Sequence, residues 1–275
     1  MMAKKTIALI AGGTSGVGKR TAIDLAERDF EIILIGRNKK KGEEIKRELQ
    51  EKTQNSAIAF YAADLSTKAG VATRLKADLN QIDVLVSTVG VMLPELHLTA
   101  DGYDQNFVLN YLTHFWLINQ LLPLLKKSAQ GRILLVGAMP FAINHAKVKL
   151  PTLQTKSNKY SQMPVVGEAT VGKTLLVLKL SEMLKDSPIT VNIFQPGYVP
   201  DSSYGADTGG LMQIFGKIMG RFSKIDASIG AELATAKDLA SISGKFFNEK
   251  RAIVPLSSKY TLAMAQAWWE LSEKL

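Results

Sequence analysis

The chain has 275 residues, 46% hydrophobic and 21% charged, and a formal net charge of +9. It has no Cys, which excludes thiolate catalysis, Cys-ligated zinc and iron–sulfur clusters. Its three His (His97, His114 and His145) share no metal-ligand spacing, so no metal centre is expected.

No apolar run approaches the ~18 residues of a membrane span. After Lys4 and Lys5, the apolar Ile7–Ala11 run is shorter than the ~7–15-residue core of a signal peptide. A soluble, cytoplasmic protein is the expectation. The basic cluster Lys39, Lys40, Lys41, Lys46 and Arg47 reads chiefly as a solvated helix face, and otherwise as attraction for an anionic ligand or surface. Basic residues are not interleaved with aromatics and no recognition motif is present, so nucleic-acid binding is not expected.

Along the chain, short apolar runs alternate with helical stretches. Thr6–Ala11 reads as a strand buried on both faces. Val17–Arg28 has helical composition, Glu31–Ile35 is a second strand and Glu43–Glu51 a charged helix. Ala57–Ala62 and Asp83–Val86 are further strands with a helix, Thr67–Leu79, between them. A long helix is predicted over Tyr103–Lys127, broken or shortened near Pro123. Arg132–Val136, Thr190–Phe194 and Ala252–Val254 bring the predicted strands to seven. This alternation predicts a single α/β domain over residues 1–275, a doubly wound, mostly parallel sheet with helices on both faces. Asn144–Pro164 reads as a polar surface loop. Within Ser202–Ile225, apolar residues from Leu211 to Ile225 recur at three- and four-residue spacing, the pattern of an amphipathic helix.

Gly12-x-x-x-Gly16-x-Gly18 directly follows the first strand and opens a helix, the context of a dinucleotide-phosphate loop. One glycine permits a left-handed turn, a second lets the pyrophosphate reach the backbone, and a third lets helix and strand approach. The second strand ends at Gly36-Arg37-Asn38, without the carboxylate that binds a ribose 2′-hydroxyl in NAD sites. A guanidinium there suits a 2′-phosphate, so NADP(H) is the expected cofactor.

With these residues in view, the chain resembles the short-chain dehydrogenase/reductase superfamily, and within it the retinol-dehydrogenase-like branch. The resemblance rests on Thr14-Ser15-Gly16-Val17-Gly18-Lys19, Gly36-Arg37-Asn38 and Lys41-Gly42-Glu43-Glu44. It continues through Ala63-Asp64-Leu65-Ser66, Gly90-Val91-Met92, Thr99-x-Asp101-Gly102-Tyr103 and Asn110-Tyr111-Leu112-x-His114-Phe115. Gly244-Lys245-Phe246-Phe247 and Trp269-Glu270-Leu271-Ser272-Glu273 extend it to the C-terminal region. It implies that Asp64 and Leu65 meet adenine, that Lys173 holds the nicotinamide ribose, that Asn110 orders a relay water, and that Gly90, Pro196, Gly197 and Val199 line the cofactor. It also implies that residues 198–232 form a substrate lid.

Three departures from the family pattern are present. The family's fifth strand ends in Ser-Ser; here it ends in Gly137-Ala138. The family's Tyr-x-x-x-Lys is here Ala169-Thr170-Val171-Gly172-Lys173, and none of the seven Tyr stands four residues before a Lys. The family's Asn-Asn-Ala-Gly is Ser87-Thr88-Val89-Gly90. A positioned general acid contributes about 10²–10⁴-fold and an oxyanion donor about 10²–10³-fold, so Ala138 and Ala169 should cripple ordinary alcohol/ketone turnover.

Three readings stay open: hydride transfer to an imine, enone or carbonyl with a replacement acid (Glu168, Tyr160 or Tyr198) or none; a catalytically silent NADP(H)-binding scaffold; or an ordinary dehydrogenase with engineered alanines. The apolar face of the Leu211–Ile225 helix fits a lid over a small apolar substrate, a peripheral membrane contact through Lys217, Arg221 and Lys224, or packing on the domain or a second copy.

Overall fold

The computed structural model describes residues 5–69, 79–153, 160–197, 199 and 228–275. Its apolar runs become the strands β1 (Ile7–Ala11), β2 (Glu31–Gly36), β3 (Ile58–Ala62), β4 (Val84–Ser87), β5 (Gly131–Val136), β6 (Ile189–Phe194), β7 (Phe246–Phe247) and β8 (Ile253–Val254). They form one sheet in the order β3-β2-β1-β4-β5-β6-β7-β8. Every pairing is parallel except β7 with β8 at the edge. The doubly wound α/β fold class read from the sequence holds, with one strand more than expected. Phe246–Phe247 is two residues long, too short to leave an alternating pattern.

The helices are α1 (Gly16–Ala26), α2 (Lys39–Thr53), α3 (Gln105–Phe107), α4 (Thr113–Leu125), α5 (Pro140–His145), α6 (Gln162–Met183), α7 (Ile229–Thr235) and α8 (Leu262–Lys274), with a π-helical turn at Val108–Leu112 between α3 and α4. In β1, Ile7, Leu9 and Ala11 join one core cluster while Ala8 and Ile10 join the other, as expected of a strand covered on both faces. The first core lies under α4, α6 and α8; the second lies under α1 and α7.

Several boundaries differ from the sequence reading for local reasons. Asn38 caps α2 by accepting from Lys41 N at 3.0 Å, so that helix starts ahead of Glu43. The segment expected as one helix over Tyr103–Lys127 contains the π turn, and Pro123 sits inside α4 without ending it. Its missing N–H forfeits one helical bond near the C-terminal end, which the packed helix tolerates. The expected Asn144–Pro164 loop is trimmed at both ends, by α5 and by the start of α6. Pro140 and Pro164 fall in first helical turns, where their missing N–H costs no helical bond, so here proline marked helix starts. Helices α6 and α8 carry no anticipated pattern: α6 is buried on several sides and reads as neither strand nor amphipathic helix.

The expected Thr67–Leu79 helix falls largely outside the described residues. So do the Leu211–Ile225 helix, Tyr198 and most of the segment expected as a lid. Among the described residues, no helix is long and apolar enough to cross a membrane.

Strand order reverses between β1 and β4, and a fold of this kind binds ligands in the crevice beyond the carboxyl ends of such strands. Gly12, Arg37, Thr88, Gly137 and Gln195 are each the first residue past β1, β2, β4, β5 and β6 respectively, so they share that edge.

Candidate active site

The β1–α1 loop is shaped by glycine at three points. Gly12 has φ +81° and Gly16 φ +49°, a left-handed backbone that other side chains resist. At Gly18 an added Cβ would collide with the Gly12 carbonyl oxygen, so the start of α1 lies directly against the loop. The Thr14 side chain leans over Gly36, where a Cβ would lie 3.2 Å from Thr14 Cγ2. Ser15 is the N-cap residue of α1, Val17 is buried beneath it, and the first turn carries no acidic side chain. The unpaired N–H groups and positive end of α1 therefore face the crevice without an internal counter-charge. Such a cradle, which a Cβ would fill, fits the phosphates of a dinucleotide.

Thr88 is a contributor that the motif reading passed over. Its hydroxyl donates to the Ala11 carbonyl at 3.0 Å and lies 3.3 Å from that of Gly12, so the residue after β4 holds the loop after β1. A hydroxyl placed immediately past a buried strand was the available signal.

Just past β2, Arg37 is exposed and has no ion pair among the described residues. Asn38 is committed to capping α2. Asp64 is exposed and accepts from Ser66 N at 2.9 Å, a local turn bond that leaves its outer oxygen accessible. Leu65 packs against the core, and its carbonyl accepts from Thr113 Oγ1 at 2.6 Å.

The segment after β4 is held in a regular way. Asn106, Asn110 and His114 stand four residues apart along α3, the π turn and α4, and they grip alternate backbone groups. Asn106 Nδ2 donates to the Leu93 carbonyl (2.8 Å) and its Oδ1 accepts from Leu93 N (2.9 Å). Asn110 Nδ2 donates to the Val91 carbonyl (2.7 Å), and His114 Nε2 donates to that of Val89 (3.1 Å). Asn110 is thus nearly buried beside the crevice, and half-buried Gly90 sits within the gripped segment. Asn106 was not anticipated; its spacing from Asn110 was the signal.

His114 is wholly buried, and its Nδ1 lies 2.7 Å from Ser87 Oγ. With Nε2 donating to a carbonyl, Nδ1 accepts from Ser87 and the ring is neutral. Burial first, and the nearby Lys173 ammonium second, hold its pKa well below the ordinary imidazole value.

Lys173, on α6, is 7% exposed, and its Nζ donates to the Val136 carbonyl at 3.0 Å. It has no carboxylate partner among the described residues, and burial lowers its pKa to about 7. Ala169 lies one helical turn earlier on α6 and is fully buried, while Ala138 stands two residues past Val136. Lys173, Ala169 and the end of β5 are therefore brought to one place.

The other candidates sit differently. Glu168 accepts from Thr152 N (2.9 Å) and Oγ1 (2.7 Å) and pairs with Lys149 Nζ (3.0 Å). Partial burial raises its pKa, but the Thr152 bonds and Lys149 outweigh this and hold the carboxyl below its ordinary range. Tyr160 Oη accepts from Asn106 Nδ2 (2.6 Å) and donates to Asp104 Oδ1 (3.3 Å); burial is the main cause that pushes it up to about 12. On the far side of the crevice, Pro196 precedes Gly197, whose φ is +77°, and Val199 packs against the core under α1.

α8 braces α6. Trp268 is fully buried, and a Cβ at Gly172, the residue before Lys173, would collide with its ring. Trp268 Nε1 donates to the Lys149 carbonyl at 3.0 Å, and Tyr111 Oη meets Ser272 Oγ at 2.6 Å. Trp268 and Trp269 are both buried packing residues.

Comparison with known proteins places this geometry. The family model for short chain dehydrogenase matches residues 6–144. Retinol dehydrogenase 13 of Mus musculus is 29% identical over 282 residues, covering 98% of this chain and 83% of that protein. The crystal structure of an uncharacterized protein from Mycobacterium paratuberculosis superposes with TM-score 0.74 at 26% identity, covering 99% of this chain and 93% of that one. The RhlG/NADP active-site complex of Pseudomonas aeruginosa has TM-score 0.67 at 21% identity, covering 94% of this chain and 98% of that one.

Proposed function

We propose that this chain, which belongs to the short-chain dehydrogenase family and with it to the NAD(P)-dependent oxidoreductases, works as an atypical NADP(H)-dependent reductase of a small, largely apolar metabolite. The observation that carries this reading is Lys173, kept buried at the crevice against β5 although Ala169 and Ala138 stand at the positions that resemble the family's acid and oxyanion donor. Burying an unpaired ammonium is costly, and a protein that no longer used the cofactor would have no reason to keep it.

Gly12, Thr14, Ser15, Gly16, Val17 and Gly18 would cradle the pyrophosphate, and Arg37 a ribose 2′-phosphate. Asp64 and Leu65 would meet the adenine, and Lys173 the nicotinamide-side ribose, with Gly90, Pro196, Gly197 and Val199 lining the ring. When bound, the nicotinamide supplies hydride. The protein's own residues orient the substrate, exclude water and manage the proton. Asn110 is a candidate to hold a relay water, although its Nδ2 is already committed to Val91, which leaves its carbonyl oxygen as the free end.

An apolar substrate is supported by the rim. Met139 and Phe141 follow β5 directly and are 63% and 72% exposed, with Met163 on the first turn of α6 57% exposed. The relative is named for retinol, itself a long apolar alcohol, which agrees with such a rim.

A silent NADP(H)-binding scaffold is the second reading, and the buried, closed-in Ala169 favours it. Engineered alanines are disfavoured: Trp268 fills the space beside Gly172 and Ile193 the space beside Gly137, so the atypical neighbours of both alanines are matched by their surroundings.

Titration of the protein with NADPH and NADH, followed by fluorescence, is the first test. NADPH should bind at least tenfold more tightly, and Arg37→Ala should remove most of that preference; no binding at millimolar NADPH sinks the cofactor assignment. NADPH consumption with ketone, iminium and enone substrates then separates the readings, because silence on every substrate with the cofactor bound supports the scaffold.

A further inference from the structure

We infer that the ε-ammonium of Lys173 is itself the proton donor to the substrate, standing in directly for the side chain absent at Ala169. This rests on the reductase reading above. It follows from position and from what the neighbouring groups are already doing.

A donor must lie where the substrate oxygen gains charge, hold a proton at neutral pH and be able to release it. Lys173 is one turn beyond Ala169 on the same face of α6, and its Nζ reaches the end of β5 two residues short of Ala138. An ammonium has three N–H bonds, and among the described residues only the Val136 carbonyl takes one. Two remain for a ribose hydroxyl and a substrate oxygen. Burial without a carboxylate partner makes the release of its proton easy, and burial lowers its pKa to about 7, the range a general acid needs.

The other titratable groups near this point are spoken for. His114, facing Lys173 from α4, is neutral, with one ring nitrogen donating to Val89 and the other accepting from Ser87. Glu168 is ionised and held by Thr152 and Lys149. Tyr160 points its proton at Asp104, whose carboxyl is itself pushed up by burial. Among these groups, Lys173 alone is both placed and free to donate.

The step balances. Hydride supplied by NADPH, which is oxidised to NADP⁺, would form the C–H bond at the carbonyl carbon and move the C=O π electrons onto oxygen. An N–H bond of Lys173 breaks as the O–H bond forms, leaving a neutral amine with its electron pair, which water reprotonates. An iminium substrate needs no such proton.

The test pairs Lys173→Arg with Lys173→Met. Arginine keeps the charge and the hydrogen bonds but does not release a proton. Ketone reduction should fall at least 100-fold in both variants. At saturating NADPH, iminium reduction in Lys173→Arg should fall at least tenfold less than ketone reduction does in the same variant. Ketone reduction that survives Lys173→Arg overturns the inference, as does equal loss on both substrates with cofactor still bound.

A second measurement needs no turnover. Trace acetic anhydride labelling of the cofactor-free protein across pH, quantified by mass spectrometry, should give Lys173 a half-labelling point near pH 7. A point near that of surface lysines, or no labelling at all, counts against a proton-releasing group open to substrate. Wild-type silence on all substrates is the failure of the reductase reading; wild-type turnover that ignores Lys173 is the failure of this one.

Discussion

At the scale of single residues, Lys173, the proposed proton donor, has a measurable cost in stability. A lysine titrates near 10.5 when exposed and near 7 here, so between those values the unfolded chain holds more protons than the folded one. Stability from this group therefore rises with pH from about 7 to 10.5, and is lowest below 7, where the folded protein must carry the buried charge. Urea unfolding of cofactor-free Lys173→Met should give about 1–4 kcal/mol more stability than wild type near pH 7, the two converging near pH 10. An unchanged difference across that range contradicts the burial of an unpaired ammonium. Arg37 and Gly18 could be picked out of the sequence as candidate cofactor residues, because a guanidinium just after a strand and a glycine at a helix start both suit phosphates. The state of Lys173 was not legible. Its proton affinity depends on which groups the fold brings near it, and those lie on β5 and α4.

At the scale of elements, the site depends on two tethers. Asn106, Asn110 and His114 hold the segment after β4 through alternate backbone groups, which ties its shape to the π turn between α3 and α4. Helix α8 holds α6 through Trp268 and Gly172. Gly172→Ala puts a methyl into the Trp268 ring and should cost about 1–3 kcal/mol, while Trp268→Leu alone should cost a similar amount through lost packing. Because the two side chains share one space, the double variant should be less destabilised than the sum, by about 1 kcal/mol or more in a denaturation cycle. Strict additivity would show that the contact does not brace α6. The sequence did not reveal this pairing, since 96 positions separate Trp268 from Gly172.

At the scale of the whole molecule, ligand and fold would be linked: a cofactor bound as proposed would span β1, β2, β4, β5 and β6 and tie together most of the parallel sheet. Saturating NADPH at about 100 times its Kd should add about 2.7 kcal/mol and raise the Tm by several degrees, with NADH at the same concentration raising it less. Equal shifts would remove the assigned role of Arg37. By itself, the sequence determined the alternation of strands and helices, the parallel sheet and the phosphate loop, because buried parallel strands and tight glycine turns write themselves into contiguous residues. It also exposed the two alanines. Only the tertiary structure decided what stands around them: Lys173 against Val136, a neutral His114, Glu168 turned to Thr152, and Trp268 seated at Gly172. The reason is physical. Backbone preference and hydrophobic pattern act over a few neighbouring residues, whereas charge state and steric fit depend on every group within a few ångströms, wherever it lies in the chain.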